Sequence, residues 1–183
     1  MGLYGTIVLY PTVAAKAAAP AAQKKLGLAV IEAFVRHDLL RAGAVAELSA
    51  DREPSPVTCE YLSDKPPKGL SWIHFAIAPE QLLPGIGSLV YTDTARGFLG
   101  EKDKKKRDLI AIPYVDVTVL SKPLEFHDHD GAVVLGSNVL IEFSYADARL
   151  SPIIHTLRDP RHPLLEDLAS VLGSKIAWGV VSG

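Results

Sequence analysis

Two stretches late in the chain alternate apolar and polar side chains with a period of two, and a turn dipeptide lies between them. Val115, Val117 and Val119 share one parity, with Tyr114, Asp116 and Thr118 on the other. Further on, Val139, Ile141, Phe143 and Tyr145 alternate with Leu140, Glu142 and Ser144. A period of two belongs to a strand, whose successive side chains point to opposite faces. Asp130-Gly131 is a strong hairpin-turn pair. The expectation is a sheet built around antiparallel hairpins, with strands over 109–120 and 139–145 and LEFHDHDGAVVL (124–135) forming a hairpin between them. Pro113 argues for an edge or bulge at its position, because proline cannot donate to a ladder.

The remaining elements follow from punctuation. Thr6 to Tyr10 is a short apolar run closed by Pro11, which suits a buried strand. Pro20 opens a helix, where its missing N–H costs nothing. Leu26, Val30, Ala33, Phe34 and Leu40 mark one face of that helix, His37 lies on the same stripe, and Gly43 suits the far end. Val57 to Leu62 alternates like a half-buried strand between turn-rich segments. Leu70 to Ile77 is another strand, with Trp72, His74 and Ala76 on one face and Ile73, Phe75 and Ile77 on the other. Residues 79–100 are broken by Pro84-Gly85-Ile86-Gly87, and Leu89-Val90-Tyr91 suits a short strand. A short helix is expected over 148–158. Pro163 opens a firmer one, with Leu164, Leu165, Leu168 and Leu172 inward and Gly173 as its stop. Residues 175–181 read as a final strand.

Strand, helix, several strands, helix, strand is an α+β order: a mainly antiparallel sheet with two principal helices on one face. A ferredoxin-like core with extra strands satisfies it. Ile7, Leu9, Phe34, Val117, Ile141, Phe143, Leu168 and Trp178 are expected to share one core. The 183 residues fit a single domain over 1–183. A chain of this length buries enough surface to fold without metal or disulfide.

Charge narrows the function classes. Nineteen basic against 21 acidic residues give a net charge of −2, which offers no footprint for nucleic acid or an anionic membrane. No apolar run reaches the ~20 residues that a bilayer span needs. The start, MGLYGTIVLYPTV, lacks the basic region of a signal peptide. The single cysteine, Cys59, excludes an internal disulfide and fits a reducing compartment. A cytosolic protein is expected.

The histidines hold the sharpest chemistry. His127 and His129, two apart on a strand, stand about 6.6 Å from each other, near enough to share a zinc ion. Glu125 lies about 13 Å from His129, too far to join them comfortably. With Asp130-Gly131 as the central turn residues, His129 faces Ala132, His127 faces Val134 and Glu125 faces Gly136, and none of these partners binds metal. A third ligand must come from elsewhere in the chain; His74, His155 and His162 are candidates, and nothing in their spacing requires them to converge. The preferred reading is a polar hairpin tip with no metal and no cofactor. If a metal is bound, His127 and His129 are its ligands.

The other candidates read as structural. Cys59 suits a buried, inert thiol, and His37 a hydrogen-bonded boundary histidine. The basic run at 104–107 suits a solvated loop. Arg149, Arg158 and Arg161 flank His155 and His162 and suit an exposed helix–loop–helix. No phosphate-binding glycine loop, nucleophile elbow, paired-cysteine pattern or H-E-x-x-H is present. Two-histidine phosphoesterases carry paired H-x-[ST] motifs; here WIHFAI has Ala76 and IIHTLR has Leu157 at the hydroxyl position, so neither motif is met.

The expected function is a non-enzymatic binding or protein-interaction module, of inhibitor or immunity type or a subunit of an assembly, with another protein as partner. The alternative is a small metal-dependent or histidine-based hydrolase or phosphoesterase using His127 and His129, or His74 and His155.

Overall fold

The computed structural model describes residues 5–43, 46–48, 68–77, 81, 83, 114–127, 133–145 and 163–182. Side chains are described over 8–43, 68–77, 81, 83, 115–123, 137–143 and 163–177. The elements are β1 (Gly5–Pro11), α1 (Pro20–Arg36), β2 (Ala46–Leu48), β3 (Trp72–Ile77), β4 (Tyr114–His127), β5 (Val133–Tyr145), α2 (Pro163–Leu172) and β6 (Ile176–Ser182). The six strands form one sheet in the order β2-β3-β4-β5-β1-β6, and every pairing is antiparallel. Without β2 and β3, the remaining elements run β-α-β-β-α-β with spatial order β6-β1-β5-β4. That order is compatible with a ferredoxin-like core carrying two extra strands.

Helix α1 begins at Pro20, as the sequence leads one to expect, but it stops earlier than Leu40 and Gly43 suggest. Asp38 takes a positive φ of 55°, and the chain closes a Schellman motif around it. The Leu39 N–H donates to the Phe34 carbonyl at 3.0 Å, and the Asp38 N–H to the Val35 carbonyl at 3.1 Å. Aspartate tolerates the left-handed region better than most residues with a Cβ. Leu39 then turns inward and is fully buried, the apolar contact that usually accompanies this cap. Gly43 also has a positive φ, but it lies seven positions after Arg36 and caps nothing in α1. Helix α2 follows its sequence signals closely: Pro163 begins it, Leu164, Leu168 and Leu172 are buried, and Gly173 ends it at φ 69°.

Both helices lie against the same face of the sheet. That face carries Phe75, Ile77, Val115, Val117, Val119, Val139, Ile141 and Phe143, which join Leu9, Phe34 and Leu168 in one buried cluster. The side chains of Ile7 and Trp178 fall outside the described residues. Gly27 sits where α1 crosses β3, and a Cβ there would collide with the Phe75 ring, so the helix lies directly on that ring. The Phe34 and Phe143 rings lie 5.9 Å apart, tilted by 31°.

The central hairpin departs from simple pairing. From Tyr114 to Val119, β4 pairs with β5 in one register, with Val119 opposite Val139. It resumes with Leu124 opposite Ser137, so the four residues 120–123 face only Asn138. A second shift follows, and His127 pairs with Val133 rather than with the expected Val134. The expected pairing of Glu125 with Gly136 holds. The 124–127 stretch and the 114–120 stretch are thus one continuous strand with an irregularity inside it. Strand β2, three residues long, carries no clear signal in the sequence. The segments expected at 57–62, 89–91, 104–107 and 148–158 lie outside the described residues, as does the Asp130-Gly131 turn.

Candidate functional site

The face of the sheet turned away from the helices is also buried, and it is chemically mixed. Val8, Tyr10, Leu120 and Leu140 form an apolar cluster there, with Trp72 and Ala177 packed against it. Among them stand His74 and Asp116, each 6% exposed, Glu142 at 1% and Thr118 at 0%. The register explains how they meet. His74 on β3 is directly opposite Thr118 on β4, and Asp116, two residues back along β4, is directly opposite Glu142 on β5. Residues of equal parity share a face, so three neighbouring strands bring these four side chains to one side.

His74 Nε2 lies 3.4 Å from Asp116 Oδ1, within ion-pair range, yet the geometry makes no hydrogen bond. Among the described residues, neither ring nitrogen of His74 has a hydrogen-bond partner, and neither does the Thr118 hydroxyl. Buried polar atoms without partners are rare and costly. A histidine beside a carboxylate is equipped to hold or pass a proton, but general acid–base work also requires the imidazole to reach a substrate. With 6% exposure the His74 ring lies in the interior. Burial also raises the Tyr10 phenol above its ordinary value on this face. Among the described residues, no group of three or more histidines, cysteines and carboxylates is arranged to hold a metal ion.

A second polar system sits at the irregularity in β4. The interrupted ladder frees carbonyls that a regular strand would satisfy, and two buried amides take them. Gln23 of α1 donates from Nε2 to the carbonyls of Val119 at 3.2 Å and Ser71 at 3.0 Å. Asn138 donates from Nδ2 to the carbonyls of Ala15 at 2.8 Å and Leu120 at 3.4 Å, and its Oδ1 accepts the Ala15 N–H at 2.9 Å. Ser121 completes the junction, accepting the Ser71 N–H on its hydroxyl and donating its own N–H to the Ser71 carbonyl. Beyond this junction, Leu124–His127 and Val133–Ser137 pair only with each other among the described residues. They form a two-stranded arm that continues past the sheet.

The sequence candidates therefore separate. His74 is in the buried cluster and His127 is the last residue of β4, on the arm. His129, His155 and His162 lie outside the described residues, as do Cys59, the 104–107 run and the three arginines at 149, 158 and 161. His37 is a boundary residue, as expected, with Nε2 3.1 Å from Asp167 of α2. Arg36 meets the same carboxylate through two bonds of 3.0 Å. The hydrogen bond from Arg36 holds the Asp167 carboxyl below its usual value, helped by the charges of Arg36 and His37 against a smaller opposing effect of burial. Asp116, Thr118, Glu142, Gln23 and Asn138 were not singled out as site residues from the sequence. The signal available was parity: Asp116, Thr118 and Glu142 all alternate with the apolar set.

No protein family, curated protein or solved structure matches the chain.

Proposed function

We propose that this chain is a non-enzymatic protein-interaction module and that the β4–β5 arm is its docking element. The observation that carries the reading is the arm's pairing: past residue 123 its two strands have each other and no other strand among the described residues. A hairpin alone is marginally stable in water and needs a third surface to bury an apolar side. This arm contains Leu124, Phe126, Val133 and Leu135, with Phe126 opposite Leu135. A protein that receives the arm in an apolar groove supplies that surface. The reading includes a cytosolic setting, on the strength of a single cysteine in the sequence. Among the described residues no helix is long and apolar enough to cross a membrane.

The test replaces residues 124–136 by a short Asn-Gly turn. A binding protein recovered from the source cells by cross-linking is then purified and titrated against both forms. The shortened form is expected to keep its melting temperature and bind at least about tenfold more weakly, a difference of ~1.4 kcal/mol. Equal affinities would remove the arm from the interface.

A second reading, a histidine-based hydrolase, draws on the His74–Asp116 approach of 3.4 Å. It requires ester or phosphoester turnover by the purified chain that His74→Ala abolishes while the fold survives.

A further inference from the structure

The break in β4 decides where the arm points. Up to Val119 the strand belongs to the sheet, and from Leu124 it belongs to the arm. A ladder interrupted between these residues lacks the regular bonds that hold two strands in line. Such a joint bends freely unless other groups take its donors and acceptors. Here buried side chains take them from both sides. Gln23, the fourth residue of α1 and fully buried, donates to the Val119 carbonyl at the sheet end of the break. Its Oε1 accepts from the Ser71 hydroxyl at 3.3 Å. Asn138 of β5, opposite the break, donates to the Leu120 carbonyl within it. The neighbouring Ser137, also buried, stands opposite Leu124, the first paired residue of the arm. Its hydroxyl donates to the Val139 carbonyl at 3.0 Å and accepts the Val139 N–H at 3.2 Å.

We infer that Gln23 and Asn138 are positioning residues, which fix the angle between the arm and the sheet so that the arm meets its protein partner already ordered. The inference rests on the arm reading given above. Both amides are anchored in the body of the molecule. Gln23 is carried by α1, which lies on the Phe75 ring, and Asn138 is tied to Ala15 in the β1–α1 connection. A side-chain amide holds a donor and an acceptor at once, so each residue joins two pieces of backbone across the joint. With 0% and 1% exposure, neither touches a partner, and each acts through the arm alone. An element fixed before binding gives up less conformational freedom when it docks.

The experiment measures the angle through spin-label distances in the full chain carrying Cys59→Ser. One pair of labels joins the arm to α1, at His127→Cys and Leu28→Cys. A control pair joins α1 to α2, at Leu28→Cys and Ser170→Cys, both exposed positions. Gln23→Met and Asn138→Ala, each made singly, are expected to broaden the arm distance and leave the control distance as it was. Should Gln23→Met fail to fold, Gln23→Asn keeps an amide with a shorter reach and tests the same bonds. Without labels, Gln23→Met is expected to bind the protein recovered by cross-linking about three- to tenfold more weakly. An arm distance that stays sharp in both variants overturns the inference. So does broadening of both pairs together, which makes the amides general supports of the fold. Broadening with unchanged affinity, where the shortened form binds weakly, overturns it as well. The distances need no partner, so failure here is distinct from failure of the arm reading, which shows as equal affinities of the shortened and full forms.

Discussion

Val117 and Thr118 are neighbours on β4, of almost the same shape, and both are fully buried. They point to opposite faces of one sheet, and the faces are held in different ways. On the helix side Val117 lies in an apolar cluster with Phe34, Phe75, Ile141, Phe143 and Leu168. On the other side Thr118 stands beside His74, Asp116 and Glu142, and its hydroxyl has no partner among the described residues. The helix side is stabilised by the removal of apolar area from water, which is indifferent to orientation. The opposite side depends on whether individual donors and acceptors meet, and among the described residues some do not. One side supports the fold broadly, whereas the other carries local costs that a protein tolerates where a site or partner needs polar groups.

The largest expected effect lies on the helix side. Leu168→Ala removes a fully buried side chain from between α2 and the sheet and should cost about 2–5 kcal/mol in urea unfolding. A loss under about half a kcal/mol would mean that α2 is not part of the core.

The next two changes exchange the faces' chemistry at one methyl group each. Val117→Thr places a hydroxyl in the apolar cluster and should cost about 1–3 kcal/mol. Thr118→Val removes a hydroxyl that has no partner among the described residues and should raise stability by about 1 kcal/mol. The opposite signs are the substance of the comparison. If Thr118→Val destabilises the protein, the Thr118 hydroxyl is satisfied in solution and the two faces are more alike than described.

Outside both faces the effects shrink. Asp167 has its carboxyl pKa lowered in the folded state, chiefly by the Arg36 hydrogen bond. Its contribution is therefore present above the unfolded aspartate value of about 3.9 and is lost as pH falls through the lower folded value. The melting temperatures of the native chain and Asp167→Asn should converge on acidification through that window, and a gap that widens there would contradict the Arg36–Asp167 contact. The smallest effect is expected at the hairpin tip. The double change His127→Ala, His129→Ala should leave the melting temperature unmoved, with or without chelator. Stoichiometric zinc lost with that change would move the metal-dependent reading to the front.

Much of the architecture is legible in local chemistry. Pro20, Pro163 and Gly173 mark helix ends because proline and glycine restrict or permit specific backbone states. Period-two alternation identifies β3, β4 and β5, and the expected Val117, Ile141 and Phe143 lie in the core. Even the break in β4 leaves a trace: its apolar residues are odd-numbered through Val119 and even-numbered at Leu124 and Phe126. Two features escape such reading for a physical reason. The end of α1 rests on Asp38 in a left-handed conformation, which aspartate adopts only where the surrounding contacts favour it. The His74–Asp116–Thr118 cluster rests on cross-strand register between segments far apart in the chain, and alternation gives parity without giving partners. Alternation also shows that a strand has two faces, but not that both are covered.

The Asn138 side chain has a consequence for motion. Its amide both accepts from and donates to Ala15, so a single loop residue is bonded as if to a neighbouring strand. Asn138 itself is 1% exposed and sits on β5. The Ala15 amide hydrogen trades with deuterium only when its bond to Asn138 opens. Its exchange rate therefore reports how firmly the β1–α1 connection is held against β5, and Asn138→Ala should speed it.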